Sequence, residues 1–202
     1  MEMPKLNLAA KLEKSVANGP GVRYVLWVQG CPFLCKGCFN PRFQPFIPRE
    51  IISAEELAKK ILSVKGIEGV TYTGGEPMMQ SKALYFLSTL LKHHNLSIVC
   101  YTGFTLEELY HLKDPYIKKL LDYIDILIDG RYEEENKANL LWRSTSNQRV
   151  HFLTDTYMQY KSLIENNATE IEFVINKDGM TVTGILQQKI LKRLEEILKK
   201  GE

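Results

Sequence analysis

The sequence predicts an α/β fold with a mostly parallel sheet. It reads as an incomplete barrel of five or six β/α units, followed by a C-terminal β-hairpin and helix. Three observations predict this. Apolar runs at Val22–Val28, Gly69–Thr73, Leu96–Tyr101 and Tyr123–Ile128 alternate with segments of helical periodicity. Glycine-rich and charged stretches follow the carboxyl ends of these runs, where parallel sheets and barrels keep their chemistry. The chain of 202 residues is also too short for a closed barrel of roughly 250.

Composition narrows the class. Hydrophobic residues make up 45% and charged residues 25%, ordinary for one globular domain spanning 1–202 with a substantial core. Net charge is +2, and no basic tract argues for nucleic acid. No apolar run reaches the roughly 18 residues of a membrane span. The first residues carry no secretory signal, so the cysteines are expected to sit in a reducing cytoplasm.

The elements follow in order. In residues 1–21, Leu6, Leu8 and Ala10 alternate as an edge strand would, and Gly19-Pro20-Gly21 makes a turn. Arg23 opens the first buried strand, read as a surface side chain or the partner of an acid. Ser53 starts a helix with Glu56 three residues on, and Leu57, Ile61 and Val64 form its apolar stripe. Gly66 and Gly69 end it. After the second strand comes a helix over Ser81–His93, with Leu84, Leu87, Leu90 and Leu91 inward and His93 and His94 at its C-terminal end. Cys100 lies within the third strand and reads as core. Thr105 caps a helix with Glu108, Asp114-Pro115 breaks it, and Tyr116–Tyr123 is helical again. The fourth strand ends at Asp129-Gly130-Arg131-Tyr132, a site feature or a turn with a surface ion pair. Residues 133–137 are a solvated charge run, and Val150–Leu153 is a fifth strand. Thr154–Asn166 is expected to be helical. Glu170–Ile175 and Met180–Ile185 flank Asp178-Gly179 as a hairpin. Gln187–Lys200 is an amphipathic helix, packed on the parent domain or docking a partner.

Two motifs carry chemistry. Cys31, Cys35 and Cys38 stand at Cys-x3-Cys-x2-Cys in a loop interrupted by Pro32, Gly37 and Pro41. Such a loop can aim three thiolates at one centre. An iron–sulfur cluster with one iron left open is favoured. A zinc site usually takes four ligands, and an incidental cysteine-rich loop is the third reading. Gly74-Gly75-Glu76-Pro77 lets backbone approach a ligand closely and adds an anion. On its own it also reads as a strand-to-helix turn with Pro77 at the helix start.

Taken together and in order, the motifs resemble those of the radical S-adenosylmethionine (SAM) enzymes. The triplet with Phe39 after it is similar to the first signature of that superfamily, and Gly74-Gly75-Glu76-Pro77 to the second. Asn18-Gly19-Pro20-Gly21-Val22-Arg23 and Cys38-Phe39-Asn40-Pro41 resemble the activating proteins of glycyl radical enzymes. Residues 142–149 resemble a family segment of the form Arg-Gly-Ser-x-Asn-Gln-Arg. Asn18 stands where the family usually has Asp, and Ser144 where it has Gly. The resemblance runs from about Leu6 to about Phe152, so it implies a core of about 6–153 and an extension of about 154–202.

The resemblance implies a [4Fe–4S] cluster on Cys31, Cys35 and Cys38. It implies SAM contacts at Gly37, Cys38, Phe39, Gly74, Gly75 and Glu76, and at Asp129 for the ribose or amino-acid part. It implies a glycyl radical enzyme as partner, approached through the open side of the barrel, and a flavodoxin- or ferredoxin-like electron donor. Alternatives are a different peptide or small-molecule substrate, or a non-catalytic iron–sulfur or zinc module.

Overall fold

A computed structural model of the chain describes residues 3–166, 171–176 and 179–184, together with Arg193 and Glu196. In chain order the strands and helices are β1 (Lys5–Ser15), β2 (Arg23–Val28), β3 (Glu50–Ser53), α1 (Ala54–Ser63), β4 (Gly69–Gly74), α2 (Ser81–Lys92) and β5 (Ser97–Tyr101). There follow α3 (Leu106–His111), α4 (Pro115–Leu121), β6 (Ile126–Asp129), β7 (Lys137–Leu140), β8 (Arg143–Thr145), β9 (Arg149–Phe152), β10 (Ile171–Asn176) and β11 (Gly179–Gly184). Seven strands form one sheet in the order β3-β1-β2-β4-β5-β6-β9.

The centre of that sheet is parallel: β2, β4, β5 and β6 run together. These are the four apolar runs of the sequence. The fifth predicted strand is β9, and it pairs antiparallel with β6. No helix crosses over between β6 and β9; the connection holds a 3-10 turn and the β7–β8 pair. Parallel pairing needs a crossover, so four parallel strands form where five or six β/α units were expected. β1 is not an edge strand. It lies between β2 and β3, antiparallel to both.

Side-chain alternation splits the central strands between two faces. Tyr24, Leu26, Val28, Val70, Tyr72, Ile98, Cys100 and Leu127 pack with α1, α2 and α4 in the main core, and Cys100 is fully buried as read. The helices form where their caps predict. Ser53 accepts the Glu56 N–H, and Thr105 and Glu108 make a reciprocal capping box. On the other face, Val99, Ile126 and Ile128 pack against Leu141, Trp142 and Tyr157. Tyr157 also explains why Thr154–Asn166 is not a regular helix. Its backbone leaves helical angles inside a short 3-10 stretch at Asp155–Tyr160. Its hydroxyl thereby reaches Ser97 Oγ at 2.7 Å.

Arg23 departs furthest from its sequence reading. It is fully buried, and among the described residues its hydrogen-bond partners are hydroxyls and backbone carbonyls. Its guanidinium donates to Thr71 Oγ1 (2.8 Å), Pro20 O (3.0 Å), Val70 O (2.8 Å), Ser97 O (3.0 Å) and Ser97 Oγ (3.1 Å). It therefore ties the starts of β2, β4 and β5 to the turn before β2. Burial lowers its pKa.

The C-terminal hairpin forms as β10–β11, paired from Ile171↔Gly184 to Asn176↔Gly179. Lys177 and Asp178 of its turn lie outside the described residues. So does the helix expected over Gln187–Lys200, apart from Arg193 and Glu196, which are helical. Among the described residues no helix is long and apolar enough to cross a membrane.

Candidate active site

The cysteine loop leaves β2 at its carboxyl end. Gly30 turns it with φ +98, donates its N–H to Phe43 O (2.8 Å), and Cys31 donates to Gln44 O (2.9 Å). These bonds close the base of the loop. Gly37, at φ +77, provides the second bend, a conformation that favours glycine. Cys31, Cys35 and Cys38 are unpaired, partly exposed, and line one cavity of about 450 Å³. Burial pushes the Cys31 thiol up to about 11 and also raises Cys35. Such thiols give up their protons to a metal cation rather than to water.

The donor set can be tested against a cluster. Among the described residues, no three His, Cys, Asp or Glu side chains are grouped to hold a single metal ion. Cys31, Cys35 and Cys38 all line one cavity, and a set of three thiolates is a donor set that iron–sulfur clusters use.

Gly74-Gly75-Glu76 closes against this loop. Gly75 donates its N–H to Val28 O and Glu76 to Gly30 O, each at 2.8 Å. The glycines are needed for this packing. A Cβ on Gly75 would fall 2.4 Å from Gly30 O, and one on Gly74 2.6 Å from the Trp27 Cα. With those N–H groups taken, the motif has acceptors left to offer. Gly75→Ala is expected to push Gly30 away and cost about 1–3 kcal/mol. Iron bound per chain after anaerobic reconstitution should drop by more than half; full loading would show that the contact is unimportant.

Glu76 is buried and lines the cavity. Its Oε1 accepts from the Met78 N–H (2.9 Å) and the Thr102 hydroxyl (2.8 Å), and its Oε2 from the Gly103 N–H (2.7 Å). Burial pushes its carboxyl up to about 7 against the pull of these donors. The carboxylate thus joins the ends of β4 and β5 beneath the cavity.

Asp129 lies elsewhere. It is fully buried and is not among the residues lining the cavity. Arg149, its partner across β6 and β9, donates to both carboxylate oxygens (3.1 and 2.6 Å), and the Leu106 N–H donates at 2.7 Å. His151 Nε2 is 2.9 Å from Oδ2 but off the line of a hydrogen bond. The charged end of β6 reaches the cavity through Gly130, Arg131 and Tyr132 instead. Burial alone would raise the Asp129 carboxyl; His151 and Arg149 outweigh it and hold it at about 2, below the ordinary 3.8. A depressed folded value gives stability that is present above about pH 4 and lost as pH falls toward 2. The contribution is on the order of 2 kcal/mol. Asp129→Asn should lose that amount at pH 7 and flatten the acid limb of urea midpoints against pH; an unchanged midpoint would refute the network.

The segment 142–149 orders this end of the site. Gln148 donates to Gly130 O (3.2 Å) and accepts from the Ser144 N–H (3.1 Å), while Asn147 donates to Arg131 O (2.8 Å). Ser144 sits in β8, and the left-handed residue of the turn is Trp142, at φ +59.

Several lining residues escaped the sequence reading. Thr102 and Gly103 follow β5, and their place at the end of a parallel strand could have marked them. Phe33 packs edge-on against Phe104 and lies under Arg131, 4.4 Å from its ring centre. Trp27 and Tyr101 line the cavity from β2 and β5, and Asn18, whose stretch the family resemblance sets beside the cluster, borders it. Asn18 donates to Ser15 Oγ (2.8 Å) and Thr183 Oγ1 (2.9 Å). Thr181, Val182, Thr183 and Gly184 line it too, from a strand remote in sequence.

Comparison with known proteins places this cavity in context. The family described as a 4Fe-4S single cluster domain matches residues 17–151. The anaerobic ribonucleoside-triphosphate reductase-activating protein of Pasteurella multocida (strain Pm70) is 30% identical over 158 residues, 74% of this chain and 99% of that protein. The protein of the same name from Enterobacteria phage T4 is 34% identical over 145 residues, 68% of this chain and 88% of its own. That from Vibrio cholerae serotype O1 is 33% identical over 148 residues, 69% of this chain and 93% of its own. The crystal structure of QueE from Escherichia coli matches 49% of this chain and 52% of its own at TM-score 0.43 and 18% identity, too slight a likeness to bear on the topology.

Proposed function

The chain belongs to the 4Fe-4S single cluster family, among the anaerobic ribonucleoside-triphosphate reductase-activating proteins, and from that premise we propose that it uses a cluster and SAM to install a glycyl radical on a partner reductase. One observation supports this above the rest: three free thiols and the Gly-Gly-Glu motif border one cavity at the carboxyl ends of parallel strands.

In this reading Cys31, Cys35 and Cys38 would hold a [4Fe–4S] cluster, and the cavity they line would hold SAM beside it. When bound, the reduced cluster and SAM would supply the one-electron chemistry that releases methionine and removes a hydrogen atom from a glycine Cα. The protein's residues bind and aim. Gly74 and Gly75 offer carbonyl acceptors to the SAM ammonium, and Glu76 adds its charge. Cys38 and Phe39 border the ligand from the cysteine loop, whereas Gly37, expected there too, does not line the cavity and serves to bend the loop. Asp129 acts from behind, by fixing the end of β6 from which Gly130 and Arg131 reach the cavity. Trp27, Phe33 and Tyr101 line the cavity and would exclude water from it. No proton transfer is required, so no general base is assigned. The electron comes from a flavodoxin- or ferredoxin-like donor.

The test is anaerobic. The protein is reconstituted with iron and sulfide, reduced with dithionite, given SAM, and assayed for 5′-deoxyadenosine. The anaerobic reductase of the same genome is then added and its glycyl radical sought by electron paramagnetic resonance. Both products are expected. Cluster and bound SAM without 5′-deoxyadenosine, even with the reductase present, would refute the radical chemistry.

A further inference from the structure

We propose that the glycine-bearing segment of the partner reductase binds as an added β-strand along the edge of β11 that faces away from β10. This rests on the function proposed above and names how the substrate is held. β11 lines the cavity with four successive residues, Thr181, Val182, Thr183 and Gly184. Successive side chains of a strand point to opposite faces, so four in a row meet the cavity along the strand's edge. The other edge of β11 is paired with β10 in unbroken register.

Among the described residues, no backbone bond joins Thr181–Gly184 to anything but β10. In an antiparallel pair, alternate residues turn N–H and C=O outward. The groups that β10 does not take therefore recur every second residue, about 7 Å apart. An extended polypeptide satisfies a row with that spacing; a compact small molecule does not. The lining side chains at this edge are small or β-branched and one is a glycine, so a main chain can come close. Such binding also suits the chemistry, because a glycine in an extended strand exposes its Cα with no side chain in the way.

The edge is held in place. Glu172 Oε2, on the strand beside it, accepts from Ser15 Oγ (2.5 Å) and the Val16 N–H (3.2 Å). Thr183 Oγ1 accepts from Asn18 Nδ2 (2.9 Å). Both contacts fasten the hairpin to the start of the chain, next to β2. The hairpin lies beyond residues 17–151, so it is not part of the span that the family shares.

The experiment is hydrogen exchange on the full, reconstituted chain with SAM, with and without the complete anaerobic reductase of the same genome. Peptides covering 179–184 are expected to slow at least about tenfold when the reductase is present. In parallel, Thr181→Pro and Val182→Pro each remove one amide of β11, one turned inward and one outward. The outward variant is expected to form less glycyl radical per 5′-deoxyadenosine, by about tenfold or more. Protection that appears around the cysteine loop but not in 179–184 would overturn the strand-addition proposal alone. An unchanged ratio in both variants would do the same. No protection anywhere in the chain would overturn the partner assignment and this proposal with it.

Discussion

Cys35→Ala protein, reconstituted anaerobically with iron and sulfide, is expected to lose the broad cluster absorption and to make no 5′-deoxyadenosine. Cys35 is the middle thiol of three bordering one cavity, and among the described residues that line it the only other Cys, His, Asp or Glu is Glu76, whose carboxylate is already held by Met78, Thr102 and Gly103. The loss should be complete, since two thiolates give a cluster little to stand on. Folding should survive, because Cys35 is partly exposed on a loop. Cys100→Ala is the matching control. That thiol is buried in the helical core, so its loss should lower stability by about 1 kcal/mol and leave iron content unchanged. A normal cluster spectrum in Cys35→Ala would sink the ligand assignment.

Arg23→Met should lower the stability of the whole domain by about 3–5 kcal/mol, without touching the cavity. Methionine has similar length but no donors. It would strand the buried carbonyls of Pro20, Val70 and Ser97 and the hydroxyl of Thr71, all now held by one guanidinium. Unsatisfied buried acceptors each cost about 1–3 kcal/mol, and local relaxation recovers part. Urea unfolding of the unloaded protein measures this directly. A loss under about 1 kcal/mol would mean that the network is dispensable. Arg23→Lys tests the geometry, because a single ammonium cannot reach five acceptors in one plane.

Both the cysteine loop and the glycine motif could be read from sequence because their chemistry is local. Spacing alone brings Cys31, Cys35 and Cys38 together, and Gly74-Gly75 marks a close backbone approach wherever it falls. The four parallel strands were legible for the same reason: each is a continuous apolar run. What could not be read depends on partners far along the chain. Arg23 looks like any arginine until Ser97 and Val70 are placed beside it. Asp129 resembled a ligand because it ends a core strand, yet Arg149 faces it across β9. The direction of β9 hinged on the missing crossover helix, not on its own residues. The glycine pair was singled out for an approach to a ligand; the close approaches that the structure shows are to the backbone of Gly30 and Trp27. The hairpin was expected; its share of the cavity wall was not, since nothing local links Thr183 to Asn18.

That wall has a consequence for how the protein is made. β11 leaves the ribosome long after the cysteine loop, when more than a hundred further residues have been added. At about 5–20 residues per second, the interval is on the order of ten seconds. During it, the nascent chain can already hold its central sheet while the thiols face an unclosed bowl. Until β11 has been added, the way to the three thiols is therefore wider than in the finished cavity, and iron and sulfide delivery has its easiest access. A cell that hastened translation of the final stretch would shorten that loading period, with no change to a single amino acid.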